Sequence, residues 1–479
     1  MEIRTYKQAL DYLEGFIGKI IFKIDKEFLK KHDPLERMRT LLSLLGNPET
    51  KFKSVLVGGT SGKGSTAYLI SHILTTAGFK TGLTLSPHLQ KINERLQING
   101  KEITDKKFVE MINLVVPAIK KMSFDSAQDK LGGPSYFEIL VGMAFKHFAD
   151  QKVDIAVVEV GMGGEFDGTN TLNPLIAILT NVGLDHTNIL GKTVGKIAKT
   201  KAGIIKKGAV VVSGVKQLSV IKIVEDRCKK VGAELNLLWR EFGYKIKKES
   251  ASGIEFDFIS HEETLDTLTL SLLGQYQAEN ASLGIKTILE LRKFGFKISD
   301  KVIRKALKTA FFAGRFEVRK VVLRQAQDKI SSTLILDGAH NPTKMKKFLK
   351  SLKKIFPPTS PSHFAKASRD KRLRGTKKIF IIGFKFDKDI KKMLKEILGV
   401  ADEIIVTQFK AKTDTNLHAS AEAIDIKSQI LKIKSDTKVV IEKDSGKALE
   451  KAFKMKTEII VVTGSLYLVG EIRNKIALF

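Results

Sequence analysis

Short unbroken apolar runs, the mark of strands buried on both faces, alternate along this chain with stretches carrying apolar residues every three or four positions, the mark of helices. The first fifty residues have the helical spacing. Tyr6, Ala9, Leu10, Leu13, Phe16 and Ile17 predict a helix over 5–17. Leu35, Met38, Leu41, Leu42 and Leu45 predict another, opened by Pro34 and closed by Gly46. A β-rich run at 54–57 follows, then a glycine-rich turn at 58–64 and a helix over 63–77 with Leu69, Ile70, Ile73, Leu74 and Ala77 on one face. Residues 80–85 predict a strand broken at Pro87, and 97–104 a hairpin turning at Asn99-Gly100. A helix is expected at 136–149, buried strands at 154–160 and 174–182, a helix at 194–205 and a strand at 209–213.

Residues 231–274 change to short β-type segments, and 278–294 and 299–309 return to helical spacing. A second alternation starts at 333–336 and continues with strands near 378–383, 403–408, 438–442 and 458–462. The pattern predicts an α/β protein of two domains. The N-terminal one, residues 1–310, is a P-loop-type domain with a mostly parallel sheet. The C-terminal one, residues 313–479, is smaller and Rossmann-like. Three polar stretches fit neither spacing, at 123–132, 323–330 and 357–376, and two of them share Ala-Gln-Asp-Lys. All three read as surface insertions in loops.

Composition narrows the classes. A chain of 479 residues with 43% hydrophobic content can build large cores. No apolar run approaches bilayer length, no secretory apolar core opens the chain, and the single cysteine, Cys228, excludes an internal disulfide. A cytoplasmic protein with no membrane partner is expected. The formal charge is +30. Its lysines are scattered along helix faces, as in Lys344, Lys346, Lys347, Lys350, Lys353 and Lys354, without interleaved aromatics. That argues against a nucleic-acid partner. It leaves a field favouring anionic substrates, or a solvated lysine-rich surface.

The candidate chemistry begins at the glycine turn. Strand, glycine turn and helix make a phosphate cradle, because glycines let backbone N–H groups face the anion and the helix start adds its positive end. Gly59, Thr60, Ser61, Gly62, Lys63, Gly64, Ser65 and Thr66 form it, with Lys63 on the β/γ-phosphates and Ser65 on Mg²⁺. The match to the general motif is incomplete: Gly64 follows Lys63 directly, and Val57 stands where that motif has glycine. Functional groups in open parallel sheets gather at the carboxyl ends of strands. Glu159, Asp185-His186, and Asp337 with His340 hold such places. A carboxylate closing a buried strand needs a partner or a metal, so Glu159 and Ser65 make a natural Mg²⁺ site. Taken alone, Lys201 reads as a solvated lysine near a helix end.

These residues together resemble folylpolyglutamate synthase and dihydrofolate synthase, within the Mur ligase superfamily. The motifs are Gly-Thr-Ser-Gly-Lys-Gly-Ser at 59–65, Ser-Pro-His-Leu at 86–89, Tyr-Phe-Glu at 136–138 and Glu-Val-Gly-Met-Gly-Gly at 159–164. Asp-Gly-Thr-Asn at 167–170, Leu-Asp-His at 184–186, Lys-Ala-Gly-Ile at 201–204 and Gln-Ala-Glu-Asn-Ala at 277–281 follow. Gly-Arg-Phe-Glu at 314–317, Asp-Gly-Ala-His-Asn-Pro at 337–342 and Gly-Ser-Leu-Tyr-Leu-Val at 464–469 complete the series.

The resemblance implies an ATP-dependent ligase that adds L-glutamate to a folate or dihydropteroate carboxylate through an acyl phosphate. It implies ATP on the loop and two Mg²⁺ ions held by Ser65, Glu159, His186 and a carbamylated Lys201. Nucleotide contacts fall to Asn280, Arg315 and Asp337, the last two reaching over from the second domain. His340 and Ser465 place the glutamate, and Ser86, Pro87, His88, Phe137 and Asp167 belong to the substrate site. Lys63, Lys201, His186, Arg315 and His340 form the catalytic set, and a monomer is implied. Three positions depart from the family: Ser61 replaces Asn, Glu165 replaces Arg, and Thr200 replaces Glu beside Lys201. Rival readings are a ligase adding amino acids to a cell-wall precursor and a phosphate-loop NTPase.

Overall fold

A computed structural model describes residues 2–18, 35–125, 133–325, 328–357, 377–410, 420–455 and 457–476. Eight strands form the first sheet: β1 Lys53–Gly58, β2 Thr81–Thr84, β3 Leu96–Ile98, β4 Lys101–Glu102, β5 Ile155–Glu159, β6 Ile176–Leu179, β7 Val210–Ser213 and β8 Glu234–Leu237. Their order is β4-β3-β2-β5-β1-β6-β7-β8, parallel from β2 to β8, with β3 and β4 antiparallel at one edge. β3 and β4 are the expected hairpin, turning at Asn99 and Gly100, both at positive φ.

The unbroken apolar runs have a direct structural cause. Side chains alternate across a strand, and both faces of this sheet are covered. Leu56, Ala156, Val158, Ala177 and Leu179 pack into one core with the helices Tyr6–Glu14, Glu36–Leu44, Asp105–Asp125 and Tyr136–Asp150. Val55, Val57, Ile155, Val157, Ile176 and Ile178 pack into the other, with the helices Lys63–Thr76, Tyr276–Lys293 and Asp300–Thr309. That second core also takes in a small antiparallel sheet of β9 Phe242–Ser250, β10 Gly253–Ser260 and β11 Thr264–Leu270.

The third sheet belongs to the C-terminal domain. It has β12 Glu317–Gln325, β13 Asp328–Leu336, β14 Lys378–Ile382, β15 Glu403–Val406, β16 Lys438–Ile441 and β17 Ile459–Thr463, in the order β12-β13-β17-β14-β15-β16. Only β12 runs antiparallel to its neighbour. Its two faces bury alternate residues again: Ile335, Phe380 and Val461 on one side, Leu334, Ile379 and Ile460 on the other.

Two expectations need correction. Residues 323–325 and 328–330 are strand rather than loop. β12 and β13 stay paired residue by residue out to Gln325 and Asp328, so the described residues of the stretch belong to strands. The 123–132 stretch begins inside the helix Asp105–Asp125, and its remainder lies outside the described residues. So do all but the first residue of the 357–376 stretch, and Pro34. The helices Asp105–Asp125, Thr187–Leu190, Leu218–Val231 and Leu466–Ile476 were not predicted. Phe108, Met111, Ile112, Val115, Ile119 and Met122 carried the signal for the first.

Strand order sets the site. The chain leaves β1 toward β2 on one side and later enters β6 on the other, so the loops after β1, β5 and β6 meet at one switch point. In the C-terminal sheet the ends of β13 and β17 are neighbours.

Candidate active site

Gly58 ends β1, and the loop turns through Gly59 at φ 136° and Gly62 at φ 87°, values that only glycine adopts freely. The Asn280 side chain lies against Gly62 with no room for a Cβ between them. The segment after β6 fixes the loop. Thr60 N donates to Asn181 O at 2.9 Å, and Ser61 N to Asn181 Oδ1 at 3.0 Å. Ser61 O accepts from Thr180 Oγ1 at 2.8 Å and Asn181 Nδ2 at 2.7 Å. The Ser61 amide is thereby committed to the protein, and the Thr60 hydroxyl to Gly183.

The next amides are open. The helix Lys63–Thr76 has no side-chain cap, and the N–H groups of Lys63, Gly64 and Ser65 have no hydrogen-bond partner among the described residues. Lys63 and the Ser65 hydroxyl also lack a hydrogen bond or ion pair among them, and Thr66 Oγ1 is buried with no partner. Unfilled donors, a free ammonium and a helix start make an anion site.

Glu159 closes β5 beside this loop. A Cβ on Gly64 would lie 3.3 Å from its Oε2, and Ser86 N donates to that oxygen at 2.9 Å. Burial raises its pKa, against the charges of Lys63, Arg315 and Lys344 and the Ser86 amide. Lys201 corrects the solvated-lysine reading. It is 3% exposed, and its Nζ donates to Gly59 O at 2.9 Å. Burial, with Lys63 adding to it, brings its pKa down to about 7. Its helix, Val194–Ala202, comes this close because Gly164 faces it: a Cβ there would sit 3.0 Å from the Lys201 Cα. The two departures Glu165 and Thr200 meet through Glu165 N donating to Thr200 O at 2.8 Å. His186 has φ 47° and a side chain 44% exposed, with Asp185 Oδ1 at 3.8 Å from its Nε2. Burial lowers its pKa.

The C-terminal domain supplies the opposite side. Asp337, after β13, accepts Ala339 N on Oδ1 and Phe316 N on Oδ2, both at 2.9 Å. Burial raises its carboxyl to about 6, against the charge of Arg315. Tyr276 from the N-terminal domain reaches the same carboxylate, its hydroxyl 3.5 Å from Oδ2. His340 Nδ1 lies 2.8 Å from Gly338 O, and its Nε2 lies 3.1 Å from Lys344 Nζ. Ser465 is buried in the turn after β17, where Gly464 N donates to Ala339 O at 3.1 Å. Its hydroxyl accepts from Tyr467 N.

Lys344 corrects the helix-face reading. It is half-buried at the start of the helix Pro342–Ile355. Burial, then Arg315 and Lys63, bring its pKa down to about 7. Lys346, Lys347 and Lys350 of the same helix are exposed as expected. Burial raises Asp185, but His186, Lys344 and Lys63 hold it below its ordinary value.

On the far side of Glu159, Ser86, Arg95, Phe137, Leu140 and Thr169 line a small cavity. The Phe137 ring packs on Gly161 so closely that a Cβ there would overlap it. Arg37 and Glu138 fix the helix start beside Phe137 through two 2.8 Å bonds. Asp167 is buried and accepts from Thr169 N, Thr169 Oγ1 and Met162 N, so it also closes the turn after β5. Pro87 follows a cis bond and is exposed, while His88 Nδ1 accepts from Arg95 Nε at 3.0 Å.

The connection between the domains is tied to the phosphate-loop helix. Tyr68 stacks on Phe312 with ring centroids 4.9 Å apart and planes 4° apart. His72 also stacks on Tyr68, with ring centroids 5.6 Å apart. The Tyr68 hydroxyl accepts Phe311 N at 2.9 Å, and Arg315 Cζ lies 5.6 Å from the Phe312 centroid. Sequence reasoning missed Tyr68, Tyr276 and Lys344, because each acts through partners distant in sequence.

Among the described residues, no group of three or more His, Cys, Asp and Glu side chains forms a metal cage. The Glu159 carboxylate, the uncommitted Ser65 hydroxyl and phosphate oxygens are hard donors that suit Mg²⁺. The Lys201 amine is not such a donor while unmodified.

Two family profiles match the chain: "Mur ligase middle domain" over residues 57–288 and "Dihydrofolate synthetase, C-terminal domain" over residues 319–475. The dihydrofolate synthase/folylpolyglutamate synthase of Bacillus subtilis is 32% identical over 447 residues, covering 92% of this chain and 94% of its own length. The crystal structure of folylpolyglutamate synthase from Thermotoga maritima superposes with a TM-score of 0.78 at 30% identity, covering 98% of this chain and 96% of that one. The Mycobacterium tuberculosis folylpolyglutamate synthase complexed with ADP gives 0.82 at 26% identity, covering 99% of both.

Proposed function

The chain belongs to the folylpolyglutamate synthase and dihydrofolate synthase family, and on that premise we propose that it joins L-glutamate to a folate-type carboxylate at the expense of ATP. One observation carries the reading. The open amides and free Lys63 of the phosphate loop face a second domain that contributes Arg315 and Lys344 to the same field around Glu159.

A carboxylate is a poor acceptor for an amine until it has a leaving group. The acceptor carboxylate takes the γ-phosphoryl group of ATP to give an acyl phosphate, the amine of L-glutamate attacks the acyl carbon, and phosphate leaves. No protein nucleophile is needed. The protein positions the reactants and stabilises charge. The amides of residues 63–65 and Lys63 hold the phosphates, and Asn280 and Asp337 contact the nucleotide. Arg315 meets the charge that develops on the transferring group. Ser65, Glu159, His186 and Lys201 would hold two Mg²⁺ ions, which neutralise charge on phosphate oxygens when bound.

Lys201 joins that set as a carbamate, formed when its neutral amine adds carbon dioxide and releases a proton. A pKa near 7 leaves a large neutral fraction at physiological pH and supports this step. Ser86, Pro87, His88, Phe137 and Asp167 bind the acceptor, and His340 and Ser465 place the glutamate. Residues 1–310 and 313–479 act as two units closing on the cleft, which keeps water from the acyl phosphate. The protein works as a cytoplasmic monomer. No helix among the described residues is long and apolar enough to cross a membrane.

Heavy oxygen placed in the acceptor carboxylate tests the route. The mechanism requires one labelled atom per turnover to appear in the released phosphate. Unlabelled phosphate from a competent turnover would exclude the acyl phosphate.

A further inference from the structure

Lys344 has no role in the mechanism above, yet it stands inside the site. Its ammonium carries three N–H donors. One has an acceptor, Nε2 of His340 at 3.1 Å. That assignment follows from the other ring nitrogen, which donates to Gly338 O at 2.8 Å and leaves the Nε2 lone pair free to accept. Among the described residues, the other two donors of Lys344 have no acceptor, and no carboxylate oxygen lies within ion-pair distance.

The surroundings do not compensate the charge. Arg315 from the domain connection and Lys63 from the phosphate-loop helix both face Lys344. The carboxylates facing it, Glu159 from β5 and Asp185 after β6, act only at longer range. Glu159 is already engaged by the Ser86 amide. Three cations converge from three elements, and Lys344 keeps two donors unfilled. Such an arrangement is costly without an anion.

We propose that Lys344 binds a substrate anion, a carboxylate of the incoming amino acid, with His340 holding its ammonium in place. This rests on the ligase reading, and in particular on His340 placing the glutamate. Carboxylate and phosphate oxygens share the same chemistry here, so the terminal phosphate of the nucleotide is the other source of that anion. The bond of Lys344 to His340, the residue that the ligase reading gives to the glutamate, favours the carboxylate.

The test is steady-state ADP release by the full-length enzyme and its Lys344→Gln and Lys344→Arg variants, with circular dichroism to establish folding. Loss of a charge-assisted bond raises KM for L-glutamate by about 10- to 100-fold in Lys344→Gln. The KM for ATP, measured in the same assay, stays within about twofold. Lys344→Arg recovers part of the loss, which a merely structural role would not produce. A raised KM for ATP with unchanged glutamate KM moves the anion to the nucleotide phosphate and overturns the carboxylate assignment. No change in either overturns the proposal outright. Failure of the underlying reading is distinguishable, because the unsubstituted enzyme would then show no glutamate-dependent ADP release. If Lys344→Gln does not fold, Lys344→Met or the Arg variant carries the same comparison.

Discussion

Replacing Tyr68 by leucine should uncouple the phosphate-loop helix from the domain connection. The tyrosine ring makes two stacked contacts, with Phe312 at 4.9 Å and His72 at 5.6 Å. Each aromatic pair contributes about 0.5–1.5 kcal/mol beyond simple burial. The hydroxyl accepts the Phe311 amide, a bond of about 1 kcal/mol net. Phenylalanine at position 68 removes only the hydrogen bond and should cost about 0.5–1.5 kcal/mol of stability. Leucine removes both stacks as well and should cost about 2–4 kcal/mol. The catalytic effect comes through Arg315, whose guanidinium rests against Phe312. A displacement of about 1 Å at a positioned charge costs roughly 100-fold in rate. Urea unfolding and ADP-release kinetics on Tyr68→Phe, Tyr68→Leu, Phe312→Leu and the Tyr68/Phe312 double variant measure both effects. The expected result is a Tyr68–Phe312 coupling energy of at least about 0.5 kcal/mol, with kcat reduced far more in Tyr68→Leu than in Tyr68→Phe. A coupling energy near zero, or equal kcat in the two Tyr68 variants, would refute the reasoning.

Lys63→Ala should abolish turnover and leave the unfolding midpoint almost unchanged, since Lys63 makes no ion pair among the described residues; near-normal activity would sink the phosphate-loop assignment. Lys201→Ala should lose activity and regain part of it with added short-chain carboxylates, because these replace the carbamate; rescue by amines instead would mean that the lysine acts as a cation. Asp337 has a folded-state pKa of about 6 against 3.8 for the free group. Its contribution to stability is therefore greatest below about pH 4 and is lost as pH rises through about 6. The ligand-free protein should lose about 2–3 kcal/mol from this group over that interval, and Asp337→Asn should lack that component in a thermal melt at a series of pH values.

The strands of both large sheets were legible because they are buried on two faces. Ile155, Val157 and Ala156, Val158 point to opposite cores, so the run between them has no polar break. The phosphate loop and Glu159 were legible for a related reason: glycines at positive φ and a carboxylate closing an apolar strand both break a local rule. Lys344 broke no rule. In sequence it is one lysine in a helix whose other lysines meet solvent, and only its burial and the charges facing it from the opposite domain set it apart. Lys201 was hidden likewise, because its burial depends on Gly164, far along the chain. Tyr68 and Phe311 lie 243 residues apart, so no local pattern predicts their bond. The 323–330 stretch misled for the opposite reason. Its composition is that of a loop, but backbone pairing in a long hairpin tolerates polar residues on both strands.

The most direct test of the central claim is ADP release with ATP, Mg²⁺ and L-glutamate, comparing dihydropteroate with tetrahydrofolate as acceptor and weighing the product by mass spectrometry. The account predicts that at least one acceptor stimulates ADP release, one ADP for each glutamyl residue gained. ADP release that is indifferent to both acceptors, or a product without the added residue, would contradict it.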